Sequence, residues 1–328
     1  MRRREFLGVF GGAAAWPLTA RAQQPARVRR IGVLMALDEN DPQSQGRVAV
    51  FQQGLANLGW MVGRNLAIDY RWGVSSDERG GVAAAQLLSL APDLLLANGV
   101  SAVRAAQQAT RIVPIVFTGV SEPVAQGLVT SLARPGGNTT GFTNLALSVG
   151  GKWVELLKEI APGVTRVALI FNPASLSPAL FMQPAQAAAA KLGLETREVR
   201  VYDAAEIETT LAGLGREPGV GLIFLPDTFT GFHRQLIVDL VARYRLPAIF
   251  PFGFFAAAGG LLSYGPDVTD QFRQSVAYVD RILRGETPGD LPVQQPTKFE
   301  LVINLRAVKA LGLEVPPMLL ARADEVME

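Results

Sequence analysis

The residues able to do chemistry in this chain are few, and their distribution excludes most catalysis. The sole histidine is His233 and there is no cysteine. Triads built on His, metal sites with two His, thiolate zinc sites and iron–sulfur clusters therefore lack their ligands. Gly150-Gly151-Lys152 is followed by Trp153 rather than Ser or Thr, so it is not a phosphate loop. No Gly-x-Ser-x-Gly elbow occurs, and no Gly-x-Gly-x-x-Gly follows a strand-like run and opens a helix. What remains is a set of short polar clusters at the ends of apolar runs. They are Asn98-Gly99-Val100-Ser101, Thr118-Gly119-Val120-Ser121, Asn172-Pro173-Ala174-Ser175 and Pro226-Asp227-Thr228. Such residues commonly cap helices, and the free N–H groups of a helix N-terminus suit a carboxylate. Asn98, Ser101, Ser121, Asn172 and Ser175 are thus candidates for ligand contact, with helix capping as the plainer role. Asp227 is a carboxylate suited to an ammonium group. Aromatic residues gather nearby, from Phe229 and Phe232 through Phe250, Phe252, Phe254 and Phe255 to Tyr264. Phe252 and Tyr264 are the candidates for stacking on a flat ligand. His233 reads as a surface or groove residue.

Those clusters need a scaffold, and the patterning supplies one. Short apolar runs alternate with amphipathic stretches, the signature of a parallel sheet flanked by helices. Strands are expected at 30–35, 66–72, 93–97 and 113–118, with helices at 47–58, 78–90 and 101–110. The polar loop Asp38–Pro42 follows the first strand. Ala133–Gly141 is rich in turn formers and reads as a loop leading to an inter-domain crossing. The alternation then restarts. Helices are expected at 152–160, 184–191, 204–214, 234–244, 269–283 and 306–311. Strands are expected at 166–171, 195–201, 221–225, 247–251, 261–264 and 299–305. The halves echo each other: Pro114-Ile115-Val116-Phe117 has its counterpart in Pro247-Ala248-Ile249-Phe250. Two α/β, doubly wound lobes imply a clamp whose ligand lies beyond the carboxyl ends of the strands.

The N-terminus reads as an address. Arg3-Arg4-Glu5-Phe6-Leu7, the Gly/Ala-rich stretch to Ala20 and Ala20-Arg21-Ala22 are expected to form a twin-arginine-type signal peptide, residues 1–22. That segment holds Arg2, Arg3, Arg4, Arg21 and Glu5. Without it the 328-residue chain keeps 27 basic and 28 acidic residues, so nothing calls for nucleic acid. Without cysteine the chain has no disulfide and no N-terminal Cys to lipidate. No apolar run is long enough for a stable membrane span. A periplasmic, monomeric protein with no cofactor is expected.

Three stretches carry a family likeness. They are Gly127-Leu128-Val129-Thr130-Ser131-Leu132-Ala133-Arg134-Pro135-Gly136-Gly137-Asn138-Thr139-Thr140-Gly141, Gly259-Gly260-Leu261-Leu262-Ser263-Tyr264-Gly265, and Leu291 through Leu305 with its Gln294-Gln295-Pro296-Thr297-Lys298-Phe299-Glu300 centre. With Lys309-Ala310-Leu311-Gly312-Leu313 they resemble the ABC-transporter substrate-binding proteins related to tryptophan/tyrosine-binding proteins. The resemblance spans the chain after residue 22. It implies a type I periplasmic-binding-protein fold, two lobes joined by three crossings. The lobes would be 23–143 plus 265–296 and 144–264 plus 297–328. It also implies an amino acid, including an aromatic one, as ligand and an ABC-transporter permease as partner. The alternatives are a sensory binding protein reporting to a membrane receptor and, more remotely, an exported enzyme. A sugar-responsive repressor of similar fold would need a DNA-binding headpiece, which is missing.

Overall fold

The computed structural model describes residues 27–174 and 177–328; the expected signal peptide, residues 1–22, lies outside them. The chain runs through β1 (Arg29–Leu34), α1 (Pro42–Asn57), β2 (Leu66–Arg71), α2 (Asp77–Leu88), β3 (Leu94–Asn98), α3 (Val100–Ala109), β4 (Ile115–Val120) and β5 (Thr139–Thr143). Then come α4 (Val149–Ile160), β6 (Arg166–Phe171), α5 (Ser177–Lys191), β7 (Glu195–Arg200), α6 (Ala204–Leu214), β8 (Val220–Phe224), α7 (Thr228–Phe232), α8 (Arg234–Arg243), β9 (Ala248–Phe250) and α9 (Gly253–Ala257). It closes with β10 (Leu262–Gly265), α10 (Val268–Leu283), β11 (Glu300–Asn304), α11 (Leu305–Leu311), α12 (Pro317–Ala321) and β12 (Glu325–Met327). Among the described residues these strands make two sheets. One is the parallel β2-β1-β3-β4-β5; the other is β12-β11-β10-β9-β8-β6-β7, parallel except where β10 meets β11.

Helices cover both faces of the first sheet, so its central strand β3 is buried from Leu94 to Asn98. Leu95 and Phe117 pack toward Leu87, Ala102 and Ala106 on α2 and α3. On the other face Ile31, Val33 and Leu96 meet Phe51 and Leu55 of α1 and Phe272, Val276 and Val279 of α10. The second sheet has its own core around Trp153, Phe181, Phe224, Phe250 and Phe255.

Three expectations about local structure change. The polar loop is shorter than expected, because Pro42 opens α1 instead of closing the loop. A proline has no N–H to leave unsatisfied at a first helical position, and the Asp41 carboxylate accepts from Gln43 N at 2.8 Å. Thr139-Thr140-Gly141 is a strand, not loop. After Gly136 and Gly137, both with positive φ, the Asn138 amide donates to the Val113 carbonyl at 2.8 Å and docks β5 beside β4. Gly141 is required there, since a Cβ would lie 2.2 Å from the Phe117 carbonyl oxygen. Finally α5 begins at Ser177, with Pro184 inside it rather than at its start.

The chain passes between sheets three times: from β5 to α4, from β10 to α10, and from Leu291–Pro292 to β11. The crossings are tied together. Thr143 N donates to Gln294 O at 2.8 Å, and Gln294 N donates to Gly141 O at 2.9 Å. The indole of fully buried Trp153 donates to Tyr264 O at 2.7 Å.

Candidate ligand-binding cleft

The carboxyl ends of the strands in both sheets converge on one cavity, the place where doubly wound sheets hold small molecules. From the first sheet come Ala36 after β1, Asn98 and Gly99 at the end of β3, and Gly119 and Ser121 at the end of β4; Asn144 follows β5. From the second come Pro226, Asp227 and Thr228 after β8 and Phe252 and Phe254 after β9. Gly99, at φ 88°, brings the two walls close: a Cβ there would lie 3.5 Å from the Thr228 hydroxyl. Lobe to lobe, Asp41 pairs with Arg234 at 2.6 Å.

Four candidates share this cavity: Asn98, Ser121, Asp227 and Phe252. Buried Asn98 donates to the Thr118 hydroxyl at 3.2 Å. The Ser121 hydroxyl donates to Asn144 Oδ1 at 2.7 Å. The Asp227 carboxylate caps α7. It accepts from Thr230 N at 2.6 Å and from Asn172 N at 3.1 Å. Burial nevertheless pushes its pKa up to about 6, and these hydrogen bonds only partly offset that effect. The Phe252 and Phe254 rings stack at 5.4 Å, and Phe254 continues onto Phe255 at 4.9 Å. The apolar wall is thus an extension of the second core.

Ser101 and Asn172 line a neighbouring cavity, which meets the first at Val100 and Thr228. The Asn172 side chain is turned onto its own loop, accepting from Ala174 N at 2.8 Å in a turn that precedes α5. His233 lies in the same second cavity, between α7 and α8. Tyr264 does not line this cavity. Its ring stacks on Phe299 at 5.8 Å, because alternate residues of a strand face opposite ways and β10 turns this one toward the last crossing. Ser175 lies outside the described residues.

One wall residue escaped the sequence reading. Arg47 lines the cavity with only 3 % of its surface exposed. Its Nη1 reaches Asn98 Oδ1 at a long 3.4 Å, and its Nε has no partner. Desolvation is the main cause that lowers its pKa to about 10, with Asp41 opposing. A signal was present: Ser44, Arg47, Phe51 and Leu55 form the buried stripe of α1 at helical spacing.

A two-walled cleft at strand ends agrees with the comparisons. The model of the ABC transporter substrate binding protein family matches residues 30–327. The chain belongs to that family. Among relatives of this substrate-binding protein is a tyrosine-binding protein of Clostridioides difficile, 27% identical over 80% of this chain and 76% of the relative. Solved structures place the same fold beside it. A conserved domain protein from Vibrio cholerae is 27% identical, with TM-score 0.84, over 92% of this chain and all of that one. An ABC domain from Streptococcus pneumonia in complex with L-Trp is 23% identical, TM-score 0.84, over 91% and 99% of the two chains. A ligand-free, open substrate-binding protein with adhesive properties from Clostridium difficile is 25% identical, TM-score 0.67, over 92% and 99%. Among the described residues no helix is long and apolar enough to cross a membrane, and no group of three or more His, Asp or Glu residues is arranged to hold a metal.

Proposed function

We propose that this substrate-binding protein captures an amino acid, including an aromatic one, between its lobes and delivers it to the permease of an ABC importer. The carrying observation is the cavity itself. Its walls come from both sheets, so a ligand touching Asn98 and Ser121 on one side and Asp227 and Phe252 on the other is fully contacted only when the lobes close. Such a ligand biases an open–closed equilibrium through its differential affinity for the closed state. The moving bodies are 23–143 plus 265–296 and 144–264 plus 297–328, and the permease reads the closed form. No bond is made or broken. The named ligands of two relatives, tyrosine and L-Trp, support the solute class. Residues 1–22 direct the chain to the periplasm by the twin-arginine route, and the exported protein acts as a monomer.

The test is a thermal-shift screen against amino acids, aromatic acids, purines and sugars. A ligand at 100 times its dissociation constant adds about 2.7 kcal/mol to the native state. Stabilisation by tryptophan, tyrosine or another amino acid supports the reading. Hits confined to sugars or purines discard the amino acid and leave the solute receptor.

A further inference from the structure

The charge balance of the cavity is incomplete. Arg47 is buried to 3 % exposure, and its partners do not match its donors. A guanidinium carries five N–H donors. Here one makes a 3.4 Å contact to a neutral amide, and the cation faces the Phe272 ring at 5.9 Å. The acids near it are engaged elsewhere. Asp41 is paired with Arg234 at 2.6 Å and caps α1; Asp267 caps α10 by accepting from Thr269 N at 2.7 Å. Across the cavity, both oxygens of Asp227 are held by backbone amides. Asn144 lines the same wall, its Oδ1 already taken by the Ser121 hydroxyl, and behind Gly119, outside the cavity, the buried Gln271 Nε2 is unpartnered. The first-lobe wall therefore carries a buried cation with an unpartnered Nε, and the second-lobe wall has the flat faces of Phe252 and Phe254.

We infer that Arg47 is the anchor for a carboxylate of the solute, and that this cleft selects acids over matched molecules lacking the negative group. This rests on the inter-lobe cavity being the solute site. A carboxylate supplies what the wall lacks: two acceptor oxygens in a plane that fits the guanidinium fork, and a charge that offsets a buried cation. The body of the solute then lies toward Phe252 and Phe254. Asp227, already capped by two amides, is not what fixes the acid end.

The test uses the purified protein, isothermal titration, and three probes of one shape: L-phenylalanine, 3-phenylpropionate without the ammonium, and phenethylamine without the carboxylate. The two acids are expected to bind and the amine to bind at least about 100-fold more weakly, the scale of stranding a buried charge. Arg47→Met should weaken the acids by a similar factor, with Arg47→Lys in between because the charge remains and the fork is lost. The melting temperature without ligand reads the same question independently. An anchor awaiting its counter-ion leaves the Arg47→Met protein as stable or more stable. A lower melting temperature with unchanged acid affinity would make Arg47 a packing residue and overturn the inference. If no aromatic probe binds, sugar acids against their neutral sugars replace them. Hits only among the acids then retain the inference while the amino-acid reading falls. Hits among neutral compounds that Arg47→Met does not alter overturn it.

Discussion

Asp41 before α1 in one lobe and Arg234 at the start of α8 in the other meet at 2.6 Å, their side chains 12 % and 18 % exposed. The same carboxylate accepts from Gln43 N through its other oxygen, so its position is fixed by the helix it caps. Arg234 also lies over the Phe254 ring, at 5.9 Å. The contact joins a helix cap in one lobe to the aromatic wall of the other, and it exists only when the lobes are together.

Removing that link should shift the clamp toward open. Arg234→Gln is expected to weaken ligand binding by about 1.5–3 kcal/mol, or roughly 10- to 150-fold, the range for a hydrogen bond to a charged group. Asp41→Asn should do the same while still capping α1. Small-angle scattering of the ligand-free protein should show a larger radius of gyration in both variants. An unchanged radius and affinity would reduce the pair to an incidental contact.

The Asp227 carboxyl predicts a pH signature. Its pKa is raised from the ordinary 3.8 to about 6. Between those values the native state keeps a proton that the unfolded chain has released, so stability falls as pH rises through the window. Asp227→Asn removes the titration and should flatten that decline, measured by urea unfolding at stepped pH. If a solute ammonium sits on this group, the wild-type affinity for an amino acid should rise with pH through about 6. A flat profile would leave Asp227 as a helix cap alone.

Phe252 should discriminate by ligand shape. Phe252→Leu keeps an apolar wall and loses the flat face. Aromatic ligands should weaken by about 0.5–1.5 kcal/mol, and aliphatic ones of similar size should not. Calorimetry with paired ligands reads the difference directly.

Gly141→Ala tests the first crossing. The added methyl would meet the Phe117 backbone at 2.2 Å, and overpacking of this kind costs about 1–3 kcal/mol or more. A clear drop in melting temperature is expected. No drop would mean that β5 can move away from β4 without loss.

Much of this was legible in the chain because period and punctuation survive without neighbours. The alternation of apolar runs with amphipathic stretches locates both sheets, and polar residues after the runs place Asn98, Ser121 and Asp227 at the strand ends. What failed depends on partners distant in sequence. Arg47 enters the sequence reading only as the start of a helix, and its burial depends on Phe272 from α10 and Asn98 from β3. Tyr264 sits at the expected strand end, but which face of β10 it takes is set by pairing with β9 and β11. Pro184 looks like a helix start and is carried inside α5, where it packs beside Gly150 and Gly151 of α4. Gly141 reads as a loop former, yet its lack of a side chain is what admits a strand.

The position of α10 in the chain sets the order in which the protein can be completed. Phe51 and Leu55 find their covering residues Phe272, Val276 and Val279 more than two hundred positions later, after the second sheet has received most of its strands. During synthesis the first sheet therefore waits with one apolar face covered by α1 alone while most of the other lobe is made. The N-terminal lobe is the first to be begun and among the last to be finished. Its nascent form is the stage that would draw on chaperones.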